Sequence, residues 1–426
     1  MIQADLIIEG AAELLTLGGA ASRPRRGAEM RDLGILRRGA LAVRRGKIVW
    51  IGPTADLLTA VRPLAFCKTI DAYGKTVMPG LVDPHTHLVF AGSRENEFAM
   101  RIQGKTYQEI AAAGGGINAT VAATRTANKV DLKAAARRAL DMMLALGTTT
   151  VEAKSGYGLD VVNEIKILEV IRELDEDGPM TVVPTFMGAH ETPPEFRQNP
   201  EAYVDLVITR MIPMVASRKL ARFCDVFCET GVFNVQQTER IFRAAQAVGL
   251  ELRVHADELT DLGGGAMAAR MKARTADHLL YVNDDGIQAM AEAGVIAVLL
   301  PGTAYFLHLQ RYARARDMIA AGVPVALATD FNPGSCMTES LPLILSLACT
   351  QMRMLPAEAI TAATINAAWA IGEHDCVGSL EIGKHADLLV LSAPSHEHLC
   401  YHFGVNLVET VVKNGKVVVE DGHRLS

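Results

Sequence analysis

The sequence predicts an α/β protein: a (β/α)8 TIM-type barrel with a smaller β-sandwich module built from both chain termini. Three observations lead there. The chain has 426 residues, and a barrel takes about 250, which leaves room for one smaller module. In the middle of the chain, helical patterns end at a glycine and an apolar strand follows at once, the rhythm of a parallel sheet covered by helices. Both ends instead carry short alternating runs joined by hairpin signals.

Taken in order, the first 75 residues are β-rich, and in Leu41-Ala-Val-Arg-Arg-Gly-Lys-Ile-Val-Trp50 the pair Arg45-Gly46 supplies a turn. The barrel rhythm is clearest at Ala145-Leu-Gly-Thr-Thr-Thr-Val151 and Ala247-Val-Gly-Leu-Glu-Leu-Arg-Val254, and again around Gly294 and Gly322, where glycine can end a helix in the left-handed conformation. Strands are expected near residues 77–84, 148–153, 181–187, 224–229, 251–255, 275–279, 295–300 and 324–329. The last segment returns to hairpins, with Ala386-Asp-Leu-Leu-Val-Leu391 and then Thr410 to Val419 around Asn414-Gly415. Because chain ends often lie together, residues 1–75 and 380–426 are expected to form one composite domain, with the barrel over 76–379 inserted between them.

Composition narrows the function. With 50% apolar and 21% charged residues the chain can bury a large core, so disorder is excluded. Lys plus Arg total 42 against 48 for Asp plus Glu, a net charge of -6, and no basic block stands out, which argues against nucleic acid as a partner. No secretory leader pattern and no apolar run of spanning length is present, so a cytoplasmic protein without membrane contact is expected. Seven scattered cysteines read as reduced core residues. Cys224 and Cys228 lack the second pair that a zinc ribbon requires.

The histidines are more telling, because barrel active sites are built at the C-terminal ends of the strands. His85 and His87 follow the first strand in Val82-Asp-Pro-His-Thr-His-Leu88, His190 follows the third, His255 ends the fifth, His278 ends the sixth, and Asp330 ends the eighth. Two histidines one residue apart on an extended segment project to the same side, so one cation can take a nitrogen from each. His85, His87, His255 and Asp330 together would make a mononuclear site for zinc or a similar ion with a position open to water. Such a metal lowers the pKa of bound water toward about 7, which points to hydrolysis. His396-Glu-His398 has metal-like spacing but no nearby third ligand, and it is read with the remaining histidines as a surface or packing residue pair.

Met78-Pro-Gly-Leu-Val-Asp-Pro-His-Thr-His87, the distant His255, Ala328-Thr-Asp330 and the stretch from Gly378 to Leu388 resemble the metal-dependent amidohydrolase superfamily. More narrowly, His87-Leu-Val-Phe-Ala-Gly-Ser-Arg94, Ala113-Gly-Gly-Gly-Ile117, Lys154-Ser-Gly-Tyr-Gly158, His255-Ala-Asp-Glu258 and Asp330-Phe-Asn-Pro-Gly-Ser335 resemble the branch that opens a cyclic amide in histidine degradation. The likeness spans essentially the whole chain except an Arg-rich loop at 20–37. It implies 4-imidazolone-5-propanoate as small-molecule substrate, opened by water to N-formimidoyl-L-glutamate, and a homodimer carrying one Zn2+ or Fe ion per subunit. Two-metal members use a carboxylated lysine from the fourth strand. Here that strand ends Phe227-Cys-Glu-Thr230, which implies one metal, and Lys154 on the second strand is read as structural or as support for the ligands.

The resemblance further implies that Arg94 grips the propionate, a task suited to a planar guanidinium fork. The competing reading of Arg94 is an ion pair with Glu95 or Glu97. Tyr157, His190, Glu258, Asn332, Gly334 and Ser335 are carried over as substrate or product contacts. Asp330 and His278 are candidates for taking the proton from water, with Glu258 placed to bind ring nitrogen or relay protons. Two other readings stay open: a metal-dependent deaminase of an aminated heterocycle, which the same site chemistry permits, and a scaffold without activity, which the complete ligand set disfavours.

Overall fold

A computed structural model describes residues 1–19, 22–105, 109 and 114–425. Eight parallel strands pair in sequence order, from Leu81–Asp83 through Thr148–Lys154, Thr181–Ala189, Phe223–Cys228, Glu251–Ala256, Thr275–His278 and Ile296–Leu299 to Val325–Leu327. The ring closes just past its last strand, where Asp330 N donates to His85 O at 3.1 Å and His87 N donates to Phe331 O at 2.9 Å. The backbone of the His-x-His segment is thereby part of the barrel wall. Helices such as Lys129–Ala145, Val161–Asp177 and Val235–Ala247 cover the outside. Their first turns are capped by Asn128, Asp160 and Asn234, whose side chains each accept a backbone N–H three residues on. Among the described residues no helix is long and apolar enough to cross a membrane.

The four expected helix-to-strand joints all take left-handed backbone, with φ of +95° at Gly147, +85° at Gly249, +72° at Gly294 and +84° at Gly322. Gly147 is also a packing position: a Cβ there would stand 2.8 Å from Leu389 Cδ1 and 3.1 Å from Val408 Cγ2, both on strands of the terminal sheet. Gly147→Ala is therefore expected to destabilise the fold by about 1–3 kcal/mol, the usual cost of overpacking. Urea denaturation of the purified variant measures this.

The termini form a second, nine-stranded sheet. Its centre is Thr76–Pro79, which pairs in parallel with Ile2–Leu15 and antiparallel with Leu388–Leu391. Both expected hairpins are present, joining Ile35–Arg44 to Lys47–Pro53 and Val408–Lys413 to Lys416–Glu420. Leu6, Ile8, Leu41 and Ile48 from the first end share one buried cluster with Leu388, Val390 and Val412 from the last. One expectation is corrected here. The run 77–84 is two strands, the first in the terminal sheet and the second, Leu81–Asp83, in the barrel. An uninterrupted apolar run says that a segment is buried, and it cannot say that Gly80 redirects the chain between two sheets.

Candidate metal centre and active site

His85, His87, His255, His278 and Asp330 are all buried at the C-terminal mouth of the barrel. Ligand-capable atoms of His85, His87 and His255 lie within 4.8 Å of one another, as do those of His85, His278 and Asp330. Asp330 Oδ1 is 3.4 Å from His85 Nε2 and 3.5 Å from His87 Nε2. Its other oxygen accepts a 2.6 Å hydrogen bond from Thr303 Oγ1, which fixes the carboxylate's orientation.

Two imidazoles are oriented from behind. His85 Nδ1 meets Asp277 Oδ2 at 2.6 Å, and His255 Nδ1 meets Asp225 Oδ1 at 3.0 Å. A carboxylate at Nδ1 keeps the proton there and leaves Nε2 as a lone pair, the arrangement that supports metal-ligating histidine. His85 Nε2 is then a buried nitrogen with no hydrogen-bond partner among the described residues. His255 Nε2 faces His87 Nε2 at 3.4 Å. Lone pairs turned toward one buried point need a cation, so the donor set fits a bound metal.

The electrostatics agree. Burial, reinforced by the Lys154 ammonium and neighbouring imidazoles, holds His85 well below the ordinary imidazole range. Burial and the adjacent His190 do the same for His87, and burial with His255 for His278. His190 is pushed down to about 3, chiefly by burial. These rings are neutral near pH 7, the form that coordinates. Two carboxyls move the other way: burial raises Asp330 to about 6, and burial beside Asp330 and Glu229 raises Glu258 to about 8.

His87, His190, His255, His278, Glu258 and Asp330 open into a cavity of about 630 Å³. His190 stacks on His87 with ring centroids 4.8 Å apart, while its Nδ1 meets Gly156 O at 3.1 Å. Tyr157 lies 5.4 Å from the His190 ring. Glu258 Oε1 is 3.5 Å from His278 Nδ1. Arg94, which lines the same cavity, makes a two-pronged pair with Glu97, at 2.9 Å from Nε and 2.7 Å from Nη2. The competing ion-pair reading of Arg94 is thus realised, yet inside the cavity rather than on open surface. Its Nη1 has no hydrogen bond to a described residue and packs against Gly334, where a Cβ would lie 2.1 Å from Nη1 and oblige the guanidinium to shift. The Asn332 amide is spent on its own loop, with Oδ1 accepting from the backbone N–H groups of Gly334 and Ser335 at 2.8 Å each. Ala113 of the glycine motif, and residues 20 and 21 of the Arg-rich loop, lie outside the described residues.

Several functional neighbours escaped the sequence. Asp225, Asp277, Glu152 and Arg253 are fully buried charges, and Glu97 and Arg101 line the cavity with Arg94. The available signal was a charged residue between apolar ones in a buried strand, as in Phe223-Cys-Asp-Val-Phe-Cys and Glu251-Leu-Arg-Val-His. Cys224 and Cys228 are buried free thiols, and His396 pairs with Glu13 at 2.8 Å.

Comparison with known proteins bears on this site. A family profile described as "Amidohydrolase family" matches residues 68–124 and 95–419. The chain is 52% identical over 419 residues to an imidazolonepropionase of Symbiobacterium thermophilum, covering 98% of each chain. It is 53% identical over 418 residues to an imidazolonepropionase of Geobacillus kaustophilus, again covering 98% of each. Among solved structures, an adenosine deaminase from Xanthomonas campestris with bound zinc superimposes with a TM-score of 0.70 at 21% identity, covering 100% of this chain and 95% of that one. A triazine hydrolase variant gives 0.74 at 18%, covering 99% and 96%. The structural likenesses speak to fold, and the near-complete alignments at about half identity speak to family. The chain belongs to the amidohydrolase family and, within it, to the imidazolonepropionases.

Proposed function

We propose that this chain hydrolyses 4-imidazolone-5-propanoate to N-formimidoyl-L-glutamate, acting on the ring C–N bond. The observation that carries this is the convergence of His85, His87, His255 and Asp330 beside a cavity that is also lined by the Arg94 guanidinium. A cation held by those four residues supplies Lewis acidity and lowers the pKa of water toward about 7. The donor set of three nitrogens and one carboxylate suits one Zn2+ or Fe ion per subunit.

The remaining groups take roles that their environments favour. Asp330, its orientation held by Thr303, accepts the proton that water gives up. Glu258, raised to about 8, is protonated at pH 7 and can deliver a proton to the departing ring nitrogen. His278, neutral and 3.5 Å from Glu258, orients the ring carbonyl. Tyr157 and His190 pack the ring, Arg94 Nη1 meets the propionate, and the loop of Asn332, Gly334 and Ser335 closes around the tail.

The test follows the ultraviolet decay of imidazolonepropionate, with ammonia release from purine and pyrimidine amines measured in parallel. Turnover of the first without the second is expected; ammonia release with no ring opening would make the chain a deaminase. Gly334→Ala, which places a methyl against Arg94 Nη1, is expected to raise KM roughly 10- to 100-fold, the worth of a hydrogen bond to a charged group, with a smaller change in kcat. Steady-state kinetics separates the two. We further infer a cytoplasmic homodimer, supported by the seven free cysteines and by the general prevalence of two-fold assemblies. Light scattering of the purified protein measures the assembly.

A further inference from the structure

Behind the metal centre lies a lysine whose side chain is completely buried. Lys154 Nζ is 2.8 Å from Asp225 Oδ2, 3.0 Å from Glu152 Oε1 and 4.0 Å from Asp277 Oδ2. Each of those carboxylates in turn holds part of the ligand set. Asp225 bonds His255 Nδ1, and Asp277 bonds His85 Nδ1. Glu152 Oε2 accepts the backbone N–H of Thr86 at 3.2 Å, and Thr86 stands between His85 and His87. The Lys154 backbone N–H reaches the same residue, donating to Thr86 O at 3.0 Å. A second buried cation, Arg253, braces the His85 side: its Nη2 lies 3.0 Å from Asp277 Oδ2 and donates to Pro84 O at 2.6 Å.

One ammonium therefore contacts the carboxylate behind His255 and the carboxylate that holds the backbone between His85 and His87, and it lies 4.0 Å from the carboxylate behind His85. A buried ion cluster of this kind is a poor device for stability, since desolvation offsets most of the attraction. It is a good device for geometry, because a carboxylate caught between a cation and an imidazole has little rotational freedom left. We propose that Lys154 is the positioning residue of the metal centre: through Asp225, Asp277 and Glu152 it holds His255, His85 and the His85–His87 segment with their Nε2 atoms aimed at one point. This rests on the metal assignment made above. It goes beyond it by placing the organising charge on a different strand from any ligand.

The experiment is a Co2+ titration of the metal-stripped full chain, by competition with a chromophoric chelator and by the Co2+ d–d spectrum. Lys154→Met is expected to weaken Co2+ binding about 10- to 100-fold and to alter the spectrum, as loss of an outer support does. Asp225→Asn should have a similar effect, and the double variant should lose less than the product of the two single losses, because Lys154 acts in part through Asp225. Binding by Lys154→Met within threefold of wild type, or effects that multiply in the double variant, overturns the proposal. If Lys154→Met does not fold, Lys154→Gln replaces it, keeping a donor without the charge. It should bind more weakly than wild type, and equal affinity with an unchanged spectrum overturns the proposal. Failure of the wild-type protein to bind Co2+ would instead remove the metal assignment itself, and this proposal with it.

Discussion

His255→Ala is expected to purify without metal and without ring-opening activity. The imidazole is one of three that present lone pairs to the same buried point, and its Nε2 stands 3.4 Å from that of His87. Removing it costs a ligand and also leaves Asp225 facing a hole on one side and Lys154 on the other. Metal affinity couples directly to the number of correctly prepared donors. The loss should therefore exceed the roughly 10- to 100-fold that removal of an outer support costs. Elemental analysis after exhaustive dialysis, run beside the ultraviolet assay, reads both quantities. About one equivalent of metal is expected in wild type. A variant that keeps its metal and turns over normally would show that the histidines meet for some other reason.

Glu258→Gln is expected to keep the fold and the metal while lowering kcat by about 10²- to 10⁴-fold, the usual range for a positioned acid or base. The glutamine preserves shape and a donor but cannot pass on a proton. The pH dependence gives a second, independent sign. Burial, with Asp330 and Glu229 adding negative charge, raises the folded-state pKa of Glu258 to about 8. The active form of a proton donor is the protonated one, present below that value and lost above it. The wild-type rate should therefore fall as pH rises through about 8, and the residual activity of Glu258→Gln should lack that descending limb. A rate that climbs through the same interval would assign Glu258 as a base.

Much of this site is visible in one dimension because each part carries a local signature. A His-x-His on an extended segment is legible wherever it occurs, since alternate side chains share a side. A histidine or aspartate at the end of an apolar strand is legible once a barrel is expected, since that is the end where barrels do chemistry. Thus His85, His87, His255, His278 and Asp330 could be named before any coordinates, and so could the glycine joints at 147, 249, 294 and 322. Arg94 shows where that legibility stops. A guanidinium beside two glutamates reads from its residues alone as a surface pair, and only the family resemblance turns it into a ligand for a carboxylate. Only the fold shows its pairing with Glu97 inside the same cavity as the histidines.

The sequence by itself determined the alternation of helix and strand, the two hairpins and the residues that reach the barrel mouth, because periodicity, turn chemistry and strand-end position all act within a few residues. Tertiary structure alone decided that Thr76–Pro79 belongs to the terminal sheet, and that Asp277 stands behind His85 from 192 positions away. It also decided that Lys154 binds carboxylates from its own strand and from the fourth. Those partnerships depend on how eight strands stagger when the ring closes. That stagger belongs to the closed ring as a whole and to no single segment of it.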